Sequence, residues 1–213
     1  MELQNRHLSQ MLPQRQKSMV IGLTGNSGAG KSTVAEIMKK NGAYILDCDK
    51  MAHENMQKGG SAYKKIVTEF GKDILHENGE IDRKKLGAIV FNDKNSLLTL
   101  NTVTHDIIKK QIINILAKAE SRCTVIDAPL LEEAGLIPLC DEVWVVTAKL
   151  ETRIRRITQR DGITKEAALL RFKNQKSDDA LLKTATTVIK HDDDNLEKLE
   201  KEVIDLMKSR GIL

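Results

Sequence analysis

The chain has 213 residues, 40% hydrophobic and 30% charged, with a formal net charge of +4. That balance describes a globular protein and contains no apolar stretch of the ~20 residues that a membrane-spanning helix needs. A mildly basic chain suits the handling of polyanions, but aromatic residues at 3% are too few for the stacking platforms of single-stranded nucleic-acid binders.

The opening segment 1–18 is polar, carries Arg6, Arg15 and Lys17, and lacks the apolar centre of a secretory signal. It reads as a loosely ordered extension. The first expected strand, Met19–Leu23, runs into Gly25-Asn26-Ser27-Gly28-Ala29-Gly30-Lys31-Ser32, and a helix-like segment starts at Thr33. Strand, G-x-x-x-x-G-K-S loop and helix follow in the order that a phosphate loop requires. Its glycines let successive backbone N–H groups curl around phosphates, Lys31 supplies a cation to the β- and γ-phosphates, and the Ser32 hydroxyl can ligate Mg²⁺. The helix that begins there adds its dipole to the same anion. Asn26, Ser27, Gly28, Ala29, Gly30, Lys31, Ser32 and Thr33 are therefore the candidate nucleotide contacts, with ATP and Mg²⁺ as the expected ligands.

A second strand, Ala43–Leu46, ends in Asp47-Cys48-Asp49, at the carboxyl edge where open α/β sheets bind ligands. A carboxylate there can accept a proton from a substrate hydroxyl, or it can cap the next helix. Residues 51–120 show helical periodicity, notably Leu97, Leu98, Leu100, Val103, Ile107, Ile108, Ile112, Ile115 and Leu116, and read as an inserted helical subdomain. The third strand, Thr124–Ile126, ends in Asp127, a candidate Mg²⁺ position, although apolar runs ending in an acid are common in α/β proteins. The fourth spans Glu142–Ala148.

Beyond it, Arg153, Arg156 and Arg160 fall at i, i+3 and i+7 and share one helical face. Three guanidinium groups there can neutralise a phosphoryl group in transfer, or form an ordinary solvated face. Asp161-Gly162-Ile163-Thr164 separates this helix from another that carries Arg171 and precedes Gln175-Lys176; the pair resembles a mobile lid that excludes water. A fifth strand, Thr186–Lys190, leads to an amphipathic closing helix with Leu196, Leu199, Val203, Ile204 and Leu206. The expected fold is α/β, a parallel five-stranded sheet flanked by helices in the manner of P-loop nucleotide kinases. Cys48, Cys123 and Cys140 show no paired spacing, which predicts reduced thiols and a cytoplasmic protein.

From Val20 to about Leu206 the residues resemble the dephospho-coenzyme A kinase family. The resemblance rests on Gly22-Leu23-Thr24-Gly25 through Gly30-Lys31-Ser32-Thr33, Asp47-x-Asp49 with Ala52-His53, Phe70-Gly71, and Gly79-x-Ile81-Asp82-Arg83 leading to Leu86 and Phe91. It continues through Leu100-Asn101, His105, Pro129-Leu130-Leu131-x-Glu133, Arg156-x-x-x-Arg160-Asp161 and Gln175. It is the ordered set that is specific, since only the phosphate loop is distinctive alone. The resemblance implies phosphoryl transfer from ATP to the ribose 3′-hydroxyl of dephospho-coenzyme A, with Lys31, Asp49 and Arg156 catalytic and Asp49 the general base. It also implies Ser32 and Asp127 at the metal, and His53, Arg83, His105, Pro129 and Leu130 at the acceptor. By the same resemblance, 19–50, 121–149 and 185–213 form the core, 51–120 the acceptor-binding domain and 150–184 the lid. Neither nucleic acid nor membrane is expected as a partner, and the protein is expected to be a monomer or a small homo-oligomer.

The chain departs from the family pattern at several places. His105-Asp106 stands where His-Pro is usual, Asn26 where glycine is frequent, and Thr186, Thr187, Val188, Ile189, Lys190 and His191 where Ala-Asp-x-Val-Ile-x-Asn is usual. The last change puts the expected adenine-side contacts in question. Another small-molecule kinase of nucleoside or nucleotide type, or a slow nucleotide-dependent switch, remains open as an alternative. A guanine-specific switch would carry an Asn-Lys-x-Asp segment, and none occurs.

Overall fold

The computed structural model describes residues 18–213; apart from Ser18, the expected N-terminal extension lies outside the described residues. Five strands, β1 (Met19–Thr24), β2 (Tyr44–Asp47), β3 (Cys123–Asp127), β4 (Glu142–Thr147) and β5 (Thr187–Lys190), form one parallel sheet in the order β2-β3-β1-β4-β5. Each strand end lies within a residue of its expected place. The central strands β1, β3 and β4 are apolar and nearly continuously buried, as in a parallel sheet covered on both faces, whereas the edge strand β5 alternates.

The nine helices among the described residues are α1 (Lys31–Lys40), α2 (Cys48–Met56), α3 (Tyr63–Phe70), α4 (Arg83–Asn92), α5 (Lys94–Ala117), α6 (Leu150–Asp161), α7 (Lys165–Lys173), α8 (Asp178–Leu182) and α9 (Leu196–Ser209). None of the described helices is long and apolar enough to cross a membrane. On one face of the sheet, Val34, Ile37 and Met38 of α1 and Leu199, Val203 and Met207 of α9 pack with Ile21, Leu23 and Trp144. The closing helix thus covers the sheet as its amphipathic spacing predicts. On the other face, Ile108, Ile112 and Leu116 from the second half of α5 pack with Val20, Ile126, Val143 and Val145.

Helix α5, 24 residues long and so about 36 Å at 1.5 Å per residue, serves two cores. Its stretch from Leu97 to Ile107 contributes Leu97, Leu100, Val103 and Ile107 to a separate cluster around Ile66, Ile74, Leu86 and Val90. Leu98, counted in the apolar periodicity, is 65% exposed, because the neighbouring Leu97 already occupies the inward position.

Short polar side chains start most of these helices. Asp47 Oδ1 accepts from the Lys50 amide, Asp82 from Lys84 and Lys85, Asp93 from Asn95 and Ser96, and Thr164 Oγ1 from Ala167. Helix α1 is the exception that matters. Its N-cap is Gly30, at φ 101°, with no side chain on the first amides, so those N–H groups remain available to an anion. Helix α6 ends at Gly162, whose φ of 64° is the left-handed closure glycine permits. Across that corner Asp161 accepts from Arg160 at 2.7 Å and Arg171 at 2.5 Å, tying α6 to α7. Those bonds hold its carboxyl well below the usual range.

Candidate active site

The parallel register sets Leu23 beside Asp127 and Asp127 beside Asp47, so the carboxyl ends of β1, β3 and β2 open on one crevice. The phosphate loop leaves β1 there. Gly28, at φ 79°, could not bear a side chain, since an added Cβ would lie 2.8 Å from the Arg153 carbonyl oxygen. At Gly30 the same addition would run into His191 Nδ1. The loop therefore packs directly against α6 and the segment after β5, and both walls require the glycines.

A cleft of about 730 Å³ lies over the loop; Lys31, Ser32, Asp49, Arg156 and Gln175 all line it. Lys31 reaches across to pair with Asp127, the acid at the end of β3. Burial pushes the Asp127 carboxyl up, Lys31 pulls it back, and Asp47 and Asp49 push it further up; the net shift is upward. Three carboxylates, those of Asp47, Asp49 and Asp127, thus act on this corner, with the Lys31 charge pulling the other way. Burial, reinforced by the same carboxylates, also pushes the Cys48 thiol up to about 12, which keeps it protonated and unreactive.

Beside the cleft is a smaller pocket of about 210 Å³, more apolar, with walls from Ala52, Met56, Leu100, His105 and Ile108. Asp49, Pro129 and Leu130 line both spaces. Asp49 therefore stands where the two meet. Asp47 differs: its side chain caps α2, with the Lys50 amide at 2.9 Å, and it lines a separate groove beside Tyr44 and Gln111. The start of α2 between them turns two nearby acids to different tasks: Asp47 is its N-cap and Asp49 lies in its first turn.

Of the five positions expected at the acceptor, His105, Pro129 and Leu130 come together around the apolar pocket, and burial lowers the His105 imidazole against an opposing pull from Glu133. His53 and Arg83 are not among its lining residues; His53 Nδ1 and Arg83 Nη1 lie 3.3 Å apart.

The arginine face is divided. Arg156 lines the cleft, yet its guanidinium also bonds the Gly28 carbonyl at 3.2 Å, the His191 carbonyl at 3.0 Å, the Asp193 carbonyl at 2.7 Å and the Asp194 carboxylate at 3.1 Å. Arg160 lines the cleft while paired with Asp161. Arg153 does not present its charge to the cleft: it is 6% exposed, stacked 4.4 Å from the Phe172 ring centre and paired with Asp178. Sharing a helical face did not give the three arginines the same surroundings, because Phe172 of α7 and Asp178 of α8 pack on Arg153 alone. The partners Asp178, Asp193 and Asp194 were missed in sequence, where acids in polar segments look solvated. His191 is buried, with neither ring nitrogen holding a side-chain or backbone partner of good geometry.

A family model described as dephospho-CoA kinase matches residues 19–197. The chain is 38% identical over 192 residues to the dephospho-CoA kinase of Carboxydothermus hydrogenoformans, covering 89% of this chain and 93% of that protein. Among solved structures it is similar to TT1252 from Thermus thermophilus, with a TM-score of 0.77 and 29% identity over 91% of this chain and 98% of that one. It is also similar to the dephospho-CoA kinase from Campylobacter jejuni, with a TM-score of 0.66 and 31% identity over the same shares, 91% and 98%. A phosphate loop feeding a two-chambered cleft, on a 2-3-1-4-5 parallel sheet, together with a match spanning nearly all of the described residues, places the chain in the dephospho-CoA kinase family.

Proposed function

We propose that this protein transfers the γ-phosphoryl group of ATP to the ribose 3′-hydroxyl of dephospho-coenzyme A, releasing coenzyme A and ADP. The observation that carries the reading is the position of Asp49 at the junction of the phosphate-loop cleft and the apolar pocket. A base that serves this reaction must touch the hydroxyl of one substrate where it faces the phosphate of the other. We assign the cleft to ATP and the apolar pocket, with His105, Pro129 and Leu130, to the acceptor. His53 and Arg83 then bind acceptor groups beyond the pocket walls. Helices α2–α5 act as the acceptor-binding domain over 51–120, α6–α8 as the lid over 150–184, and the remaining segments as the core. The working setting is the cytoplasm, with no nucleic-acid or membrane partner.

In this mechanism Asp49 takes the proton from the acceptor hydroxyl as its oxygen attacks in line. The uncapped first turn of α1 and the loop amides hold the β- and γ-phosphates, Lys31 neutralises them, and Arg156 meets the charge that spreads over the phosphoryl oxygens. Lys31 must leave Asp127 to do so. Ser32 and Asp127 offer the hard oxygen donors that Mg²⁺ takes, and the three carboxylates acting on the Asp127 corner favour a divalent cation. Among the described residues no group of three or more His, Cys, Asp or Glu side chains is poised to hold a metal. Ser32 and Asp127 would hold Mg²⁺, and the chemistry the ion would supply there is neutralisation of the charge that develops on the phosphoryl group.

A coupled ADP-release assay with ATP and Mg²⁺ tests the reading. Dephospho-coenzyme A should be turned over, while AMP, shikimate and pantothenate should not; preferred turnover of any of these three would overturn the assignment.

A further inference from the structure

Ser27 lies in the middle of the phosphate loop, yet each of its polar groups is bonded to the segment that follows β4. Its amide donates to Gln175 Oε1 at 3.3 Å, its hydroxyl accepts from Gln175 Nε2 at 2.6 Å, and its carbonyl accepts from Arg153 Nε at 3.1 Å. The preceding residue is held in the same way. Asn26 Nδ2 donates to the Lys176 carbonyl at 2.9 Å and to Asp178 Oδ1 at 2.7 Å. Arg153 closes the network through Asp178 at 3.2 Å and Gln175 Oε1 at 3.3 Å, with its guanidinium fixed against Phe172.

These contacts have a direction. Loops of this kind bind phosphate through backbone amides, and their grip depends on where successive N–H groups point. A loop with glycines at 25, 28 and 30 has little intrinsic preference for one backbone shape, so something outside it must select the shape. Here the selection comes from α6 and the 174–178 segment, which carry a buried planar fork suited to several acceptors at once.

We propose, building on the phosphoryl-transfer reading, that Arg153, Gln175 and Asn26 are positioning residues that brace the first half of the phosphate loop against the lid, so that seating the lid and shaping the phosphate cradle are one event. The brace acts on the nucleotide and not on the acceptor. Its loss should therefore appear in affinity for ATP and ADP, and in the KM for ATP, while the KM for the acceptor stays unchanged.

The test uses Gln175→Ala and Asn26→Gly in the full chain, with ADP and ATP binding by calorimetry, both KM values by coupled assay, and thermal unfolding. Gln175→Ala removes two of the three Ser27 bonds, and at typical hydrogen-bond strengths the nucleotide Kd should rise roughly tenfold. Asn26→Gly should move it the same way by a smaller factor, with the melting temperature within about 2 °C of the parent. A tighter or unchanged nucleotide Kd in both variants would overturn the proposal, since it would mean that Gln175 merely occupies a phosphate's place or nothing at all. Equal losses in ATP and acceptor KM, tracking a fall in melting temperature, would overturn it too. Nucleotide binding does not depend on the acceptor's identity, so failure of the parent protein to phosphorylate dephospho-coenzyme A would count against the function and leave the brace to be judged by calorimetry.

Discussion

Replacing Asp49 by Asn keeps the size of the side chain at the junction of the two chambers and removes its capacity to accept a proton. If Asp49 is the base, turnover at saturating ATP and acceptor should fall by roughly 10²–10⁴, equivalent to about 2.7–5.4 kcal/mol on the barrier at 1.36 kcal/mol per decade. The comparison that gives this meaning is Asp47→Asn. Asp47 serves α2 as its N-cap, through one bond to the Lys50 amide at 2.9 Å, and Asn caps about as well as Asp. Asp47→Asn should therefore leave both stability and turnover within about threefold of the parent, a residue of effect coming from the charge it contributes near Asp127. The assay is initial ADP release with both substrates saturating, beside a melting curve for each variant, so that lost activity is not confused with lost protein. Equal losses in the two variants, or the larger loss at Asp47, would refute the assignment, because of these two acids Asp49 alone lines both chambers.

Lys31→Ala should lower turnover by about 10²–10³ through loss of a preorganised cation, and should also cost about 1–3 kcal/mol of stability by leaving the buried Asp127 without its partner; urea unfolding checks the second half. Arg156→Lys keeps the charge but not the fork, so turnover should fall by about 10² while ATP affinity falls by less than tenfold; a variant as fast as the parent, or one that loses affinity alone, would remove Arg156 from the chemistry. Burial, and then the Arg156 charge, hold His191 below its ordinary 6.5, against a weaker opposing pull from Asp194 and Asp193. The native ring stays neutral while the unfolded chain takes up a proton, so this part of the stability is present above pH 6.5 and lost as pH falls from there toward the lowered native value. His105, lowered chiefly by burial, adds the same sign, so His191→Asn should flatten but not abolish the fall in urea midpoint between about pH 7 and pH 5.

The sheet was legible because its signals are local. Runs such as Val20-Ile21-Gly22-Leu23 and Val143-Trp144-Val145-Val146 are apolar on both faces, a pattern suited to central parallel strands. The phosphate loop is contiguous, so its spacing carries its geometry with it. The helical insertion and the closing helix followed from periodicity alone, although periodicity could not say that α5 would divide its apolar side between two cores, leaving Leu98 outside both.

Distinctions between like residues came only with the tertiary structure. Asp47 and Asp49 read the same in sequence, and it took the start of α2 to turn one into a cap and leave the other between two chambers. Arg153, Arg156 and Arg160 share a helical face, but whether a guanidinium there meets phosphate, protein or solvent depends on what packs over each turn. Phe172 and Asp178 cover the first, the 191–194 segment holds the second, and the third stays open. The pairing of Lys31 with Asp127 across 96 positions is of the same kind. Side-chain periodicity is set within a few residues by backbone geometry, whereas the partners that give a charged group its task are brought together by chain crossovers, which no local spacing records.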